Sequence, residues 1–422
     1  MVYDVAIVGA GPAGLMAALE SARQGMKVLL IEKFKELSPV RRACCQQFVM
    51  DENYESENIR VEQDRVVFPA NGFEVPYSGP RHNITDTYFL SPSGRAVHFS
   101  YPDRRPIAIK FDKGLLMQGL LAQCLAAGVT FRPGTPVTAA AESGNGVTVT
   151  LRDKETVQAK KLIAADGVNS RTVQSLGMNQ GRPCFATALC VIYSLAGVRE
   201  FEPAAMKWHM GRAYHSFGPV ILDPTLRDGI ADLVIMGTSQ QRPERIFKDF
   251  TTRGPLARMY EGSRVVGMTG CTVKAYPSLM TPYKGSCLAI GDAAAYVEVE
   301  VQGALMCGWH AARAVAAELA GKPGFADYAE WWQRSFEFNG PQALQVAQGY
   351  ALVPTYEDDE IDYLFGLIED RVLDGAYGQY KAPRLMWEAI FEHRERIAAE
   401  RPALAAKLNN LAQLTLADAF KK

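Results

Sequence analysis

The opening stretch of the chain restricts its fold more than any other feature. Val5-Ala6-Ile7-Val8 runs into Gly9-Ala10-Gly11-Pro12-Ala13-Gly14, and a second apolar run closes on Val28-Leu29-Leu30-Ile31-Glu32. The order is strand, GxGxxG turn, helix, strand and terminal acid, the setting in which a glycine-rich turn holds a dinucleotide. Each glycine has a physical task. Gly9 makes the tight turn, Gly11 lets backbone approach a pyrophosphate, and Gly14 lets the helix pack closely on the sheet. Pro12 and Ala13 open the helix, whose free N–H groups and partial positive charge favour phosphate. Glu32 ends the second strand, where its carboxylate can accept ribose hydroxyls.

Two later segments repeat the pattern of an apolar strand ending in an acid beside a glycine. They are Leu162-Ile163-Ala164-Ala165-Asp166-Gly167 and Leu288-Ala289-Ile290-Gly291-Asp292. Each places a carboxylate at the carboxyl end of a strand, where open α/β sheets bind ligands. With these three motifs in this order, the chain resembles the FAD-dependent enzymes of the p-hydroxybenzoate hydroxylase fold. The resemblance implies a Rossmann-like α/β FAD-binding domain, an inserted and mostly antiparallel β-sheet domain for substrate, and a helical C-terminal region. It implies non-covalent FAD, with Asp292 on the ribityl chain and Asp166-Gly167 shaping the cofactor site.

Size and composition agree with a soluble enzyme. The chain has 422 residues, 48% apolar and 22% charged, enough for two or three domains with cores. A net charge of −1 argues against binding a phosphate backbone as the main task. No apolar run approaches the roughly 18–20 residues that span a bilayer. The first strand begins almost at Met1 and is needed for the cofactor, so no signal peptide is expected. The expected location is cytoplasmic, with a peripheral membrane contact left open. None of the eight cysteines forms a CxxC pair, so no metal site is expected, and most should be small buried hydrophobes.

The pattern along the chain divides it into FAD-binding segments (1–75, 100–178 and 276–322), substrate-sheet segments (76–99 and 179–275) and a helical tail (323–422). A helix follows Phe111-Asp112, with Leu115, Leu116, Leu120, Leu121 and Leu125 at helical spacing as far as Gly128. Gly144-Asn145-Gly146 reads as a hairpin turn, and 188–193, 219–222 and 232–236 read as strands. A further helix is expected over about 303–320. The tail offers Trp331, Trp332, Phe336, Leu364, Leu367, Ile368, Trp387 and Ile390 for packing.

Beyond Asp292, the stretch through Gln302-Gly303-Ala304 is similar to the geranylgeranyl reductase branch of the fold, which reads GDAAG, a turn, a proline, GEG and a helix. That helix start would face the flavin, with Gly303 and Ala304 as contacts. The proline is missing and the GEG is altered. Glu298 and Glu300 lie two residues apart, so an extended segment would point both the same way, toward proton transfer or into a solvated turn. Ser38-Pro39-Val40 before Cys44-Cys45 is similar to the PV dipeptide that precedes a flavin-side cysteine in that branch, and either thiol is a candidate proton donor. Lys33, Arg42 and Lys110 are candidate cofactor contacts, Lys110 standing where relatives carry an arginine. Of the branch's YxWxFP-like element only Tyr214 and Pro219 survive. His209 and His215, on or near that strand, are candidate acids.

No second GxGxxG holds a nicotinamide, so an external reductant is expected, either NAD(P)H docking transiently or an electron-transfer protein. The favoured activity is reduction of C=C bonds in an apolar, isoprenoid-like substrate by hydride from flavin N5. The alternative is an aromatic hydroxylase working through a C4a-hydroperoxide. A non-catalytic flavoprotein is the third class.

Overall fold

The computed structural model describes residues 2–144, 146–214, 216, 218–296, 298–340, 351–377 and 380–410. Its first sheet is built on the continuous apolar strand Val2–Val8, which lies between Val28–Ile31 and Thr156–Ala164. Both pairings are parallel, and Cys287–Ala289 adds a further parallel strand beside Thr156–Ala164. The register pairs Val8 with Ala164, and Ala164 with Ala289. The three acid-and-glycine motifs, far apart in the chain, therefore leave the sheet side by side at one edge. Buried parallel strands read as near-continuous apolar runs, which is why these were visible in the sequence.

Two helices brace that edge. Pro12–Arg23 follows the glycine turn directly, and Glu300–Leu319 crosses it. A Cβ at Gly308 would lie 2.3 Å from the Ala13 carbonyl oxygen, so only glycine allows this close crossing. The second helix begins at Glu300, earlier than its sequence suggests, with Glu300 at φ +55. Gly303 is thus inside the first turn and not ahead of it. A Cβ there would meet the Phe336 ring at 2.9 Å, so its smallness serves packing.

The helix Lys113–Ala126 is capped by Asp112, whose side chain accepts the Leu115 amide at 2.9 Å. It buries Leu116, Met117, Leu120 and Cys124, and leaves Leu115 and Leu125 exposed. The leucine set expected to face inward is therefore split. The i, i+4, i+8 row on 116, 120 and 124 defines the buried stripe, and residues 115 and 125 fall off it.

The second large sheet runs in the order Arg264–Ala275, Ala186–Ala196, Ile230–Gly237, Val220–Pro224, Ala205–His209, Asp86–Leu90, Ala96–Ser100, Val372–Leu373. Most neighbours are antiparallel. The last strand comes from the tail and pairs parallel with Ala96–Ser100. A two-residue strand carries no period of its own, so the tail read as wholly helical. Elsewhere the tail packs helices: Trp332, Phe336, Leu364, Ile368, Trp387 and Ile390 are buried, and Trp331 and Leu367 partly so. Asn145 of the expected hairpin turn lies outside the described residues, between the paired strands Val137–Ser143 and Gly146–Leu151. No helix among the described residues is long and apolar enough to cross a membrane.

Candidate cofactor and active site

The aligned strand ends open onto a cavity of about 640 Å³. Its wall takes Gly9 to Ala13 from the first turn, Glu32 and Lys33 from the second strand end, and Asp166-Gly167 and Gly291-Asp292 from the later ones. Gly9 (φ +102) and Gly14 close the turn. A Cβ at Gly9 would lie 2.3 Å from the Ala165 carbonyl oxygen, and one at Gly14 would lie 1.8 Å from that of Gly9. Gly11 differs. A Cβ there meets nothing within 4 Å and projects into the cavity. The turn is thus a cradle that a side chain would fill, and the residues fit a dinucleotide.

The acids are held in place before any ligand arrives. Glu32 is buried and accepts the amides of Ala10 (2.8 Å) and Phe34 (2.9 Å). Asp166 accepts the amide and hydroxyl of Thr172 and the hydroxyl of Ser170, which ties it to the start of a short helix. Asp292 accepts the Val299 amide at 3.1 Å and pairs with Arg42 at 3.4 Å. Burial works against the charge of Arg42, but Asp292, Cys271 and Glu298 outweigh it and hold the guanidinium protonated.

At the other side of the cavity Cys44, Lys113, Glu298, Glu300 and Ala304 share the wall. Lys113 Nζ lies 3.5 Å from Cys44 Sγ. Glu298 is open to the cavity yet deep in the fold. Burial, then the charge of Asp292, pushes its carboxyl up to about 7, against Arg42 and Lys113. Glu300 is pushed well above the carboxylate range by burial, then by Glu298, Cys44 and Asp292. Carboxyls crowded in this way share protons, because they cannot all ionise at once. The wall therefore offers a proton source at neutral pH.

Several expected site residues lie elsewhere. Lys110 does not line the cavity: it is buried in an ion pair with Asp223 and also donates to the Cys45 carbonyl at 2.7 Å. Gln47 donates to the other Asp223 oxygen at 2.8 Å. Cys45 turns its thiol toward Asp223, and burial pushes that thiol well up, so only Cys44 reaches the cavity. Gly303 packs on Phe336, whereas Ala304 is in the wall. His209 is buried against Tyr214 and Phe250, and burial pushes it down to about 3, so it is neutral and no acid. His215 and Phe217 lie outside the described residues, while Tyr214 is in the core of the second sheet.

The Lys110–Asp223 pair carries a stability prediction. Lys110→Ala strands a carboxylate that is 0% exposed, so unfolding in urea should reveal a loss of about 3–5 kcal/mol. A loss under about 1 kcal/mol would mean that Asp223, which burial already pushes up to about 6, takes a proton once Lys110 is gone.

Sequence reasoning assigned no role to Asp223, Lys113, Arg152 or Arg171, the last three of which add positive charge to the wall. Asp223 had a signal, an acid closing the apolar strand that begins at Val220. The basic residues had none, because charged residues on strand and helix ends are usually solvated. The thiols also differ from expectation. Cys124, Cys287 and Cys307 are buried, but Cys44, Cys45, Cys190 and Cys271 are only partly so, and Cys184 is exposed.

Comparison with known proteins agrees with this geometry. Residues 2–254 match the model of the FAD binding domain family. The digeranylgeranylglycerophospholipid reductase of Methanocaldococcus jannaschii is 25% identical over 384 residues, covering 86% of this chain and 90% of that protein. That of Methanococcus vannielii is 27% identical over 351 residues, covering 79% and 81%. Among solved structures, a geranylgeranyl bacteriochlorophyll reductase-like protein from Thermoplasma acidophilum superposes with TM-score 0.73 at 20% identity, over 97% of this chain and 99% of that one. A p-nitrophenol 4-monooxygenase from Pseudomonas putida gives 0.59 at 13% identity, over 97% and 98%. Its motifs, its sheet register and the family match together make this chain a member of the FAD binding domain family, with the p-hydroxybenzoate hydroxylase type of fold.

Proposed function

We propose that the chain is an FAD-dependent oxidoreductase that reduces C=C bonds of an apolar, isoprenoid-like lipid. The observation that carries this reading is the extent of its likeness to the digeranylgeranylglycerophospholipid reductases. It covers 86% of the chain, well past the matched FAD binding domain, and so includes regions that hold no cofactor.

FAD, when bound, would supply hydride. The helix start after Gly11 would hold the pyrophosphate, Glu32 would accept ribose hydroxyls and Asp292 those of the ribityl chain. Arg42 and Lys33 would balance the phosphate charge. Glu298 and Glu300 hold a proton beside the reacting carbon, and Cys44, next to Lys113, orients the substrate or relays that proton. The second sheet, whose strand Arg264–Ala275 brings Cys271 beside Arg42 of the cavity wall, takes the lipid chain. An external reductant, NAD(P)H or an electron-transfer protein, supplies the electrons. The protein works in the cytoplasm and touches the membrane peripherally to reach its substrate.

The test is anaerobic. FAD-loaded protein is reduced with dithionite and mixed with a geranylgeranyl-containing lipid, and the lipid is followed by mass spectrometry. Gain of two hydrogens per reduced bond is the expected result. An unchanged lipid, with hydroxylation of an aromatic substrate once air is admitted, would replace the reductase reading with the hydroxylase one.

Asp292→Ala should weaken FAD binding by roughly 1.5–3 kcal/mol, about 10- to 150-fold in Kd, since the ribityl hydroxyls lose a charged acceptor. Fluorescence titration of the apoprotein measures it. Unchanged affinity would remove Asp292 from the cofactor site.

A further inference from the structure

Two strands of the second sheet bring a pair of thiols together outside the cavity wall. Ala186–Ala196 and Arg264–Ala275 pair antiparallel, and their register sets Cys190 directly opposite Cys271. Opposed residues project from the same face of a sheet, with Cα atoms about 4.5 or 5.5 Å apart according to their place in the ladder. Either spacing lies within the roughly 4.4–6.8 Å that a disulfide spans. Both cysteines are free and only partly buried. Each thiol perturbs the other, and the Arg42 guanidinium and the Ala43 backbone lie beside Cys271. Cys45 and Glu298 also act on Cys190.

We propose that Cys190 and Cys271 form a reversible thiol–disulfide site that reacts with hydroperoxides, Cys271 attacking and Cys190 resolving. The environment divides the labour. The neighbouring Cys190 thiol, and then Arg42 against the effect of burial, lower Cys271. The Cys271 sulfur, together with burial, pushes Cys190 up. The cation beside Cys271 makes it the partner that gives up its proton, and Cys190 the partner that keeps one.

The chemistry balances with hydrogen peroxide, which reduced flavins release on meeting dioxygen. The Cys271 thiolate attacks one peroxide oxygen, the O–O bond breaks, and hydroxide departs, leaving a sulfenic acid. Cys190 sulfur then attacks the Cys271 sulfur. The S–O bond breaks, the S–S bond forms, and the hydroxyl leaves with the Cys190 proton as water. Two electrons pass from the thiol pair to the peroxide, and a dithiol reductant reverses the change. Oxidation removes the anionic sulfur beside Arg42, which is then left with Asp292, 3.4 Å away, and Glu298 as its anionic neighbours.

The experiment uses full-length, FAD-loaded protein, reduced, freed of reductant and treated with hydrogen peroxide in slight excess. Peptide mapping should show the Cys190 and Cys271 peptides joined with loss of two hydrogens, and dithiothreitol should part them. In Cys190→Ser, dimedone should capture a sulfenic acid on Cys271; in Cys271→Ser, Cys190 should remain a thiol. Matching circular dichroism shows that both variants are folded. The pH profile is a separate readout. Between about pH 8 and pH 6.5, alkylation of Cys271 should slow by less than about twofold, whereas an ordinary cysteine slows roughly 20-fold. Oxidation of Cys44 or the exposed Cys184 while the pair stays reduced would overturn the proposal. So would a Cys271 alkylation profile that follows the ordinary fall.

Discussion

Gly11→Val protein is expected to purify folded and colourless. Gly11 has φ −72 and ψ 179, extended backbone that valine adopts without strain. A Cβ there meets nothing within 4 Å, so the fold tolerates the side chain. The branched group instead enters the space where the pyrophosphate must lie against the helix start. Two lost charge-assisted hydrogen bonds at about 1.5–3 kcal/mol each weaken FAD binding by roughly 10²–10⁴-fold. The visible flavin absorbance should vanish while the far-ultraviolet circular dichroism remains. Gly9→Val and Gly14→Val serve as contrasts, since their Cβ atoms would collide with carbonyl oxygens at 2.3 and 1.8 Å and disturb folding itself. A yellow Gly11→Val protein would mean that the first turn does not bind phosphate.

Glu300→Gln is expected to cut turnover in C=C reduction by about 10²–10⁴-fold, the usual contribution of a general acid, with FAD content unchanged. Burial and the neighbouring Glu298, Cys44 and Asp292 keep this carboxyl protonated well above the carboxylate range. A raised pKa keeps the acid competent until the pH climbs through it and lets the proton go above it. Turnover of the parent should therefore be level at low pH and fall once the pH passes the raised pKa of Glu300, up to about tenfold per unit. In the Gln variant the falling limb should disappear. If Glu300→Gln and Glu298→Gln each keep turnover within a few-fold of the parent, the proton comes from Cys44, which shares the wall with them.

The parts of the site that were legible in the sequence are those whose chemistry is local. Gly9, Gly11 and Gly14 belong to the turn and helix start that follow the first strand, Glu32, Asp166 and Asp292 each follow a short apolar strand, and strand and punctuation are contiguous in the chain. The parts that were not legible depend on distant partners. Lys110 has the right charge for a phosphate contact, but Asp223 and the Cys45 carbonyl, supplied by other elements, claim its ammonium group. Cys44 and Cys45 are adjacent and chemically identical, and only the course of the backbone sends one thiol to the cavity and the other to Asp223. His209 lost its candidacy to burial, since Tyr214 and Phe250 enclose its ring.

Sequence alone determined the class of fold and the dinucleotide turn, because periodicity, glycine sterics and strand-end acids act over a few residues. It also determined that two acids, Glu298 and Glu300, follow Asp292 near the start of a helix, although only the structure showed that Glu300 opens that helix. Tertiary structure decided which charges reach the cavity, which thiol lines it and which carboxyls are crowded together. Those properties arise from desolvation and from charges a few ångströms apart in space but far apart in sequence. The pairing of Cys190 with Cys271 beside Arg42 has the same origin: strand register, which no local pattern encodes, sets the two sulfurs face to face.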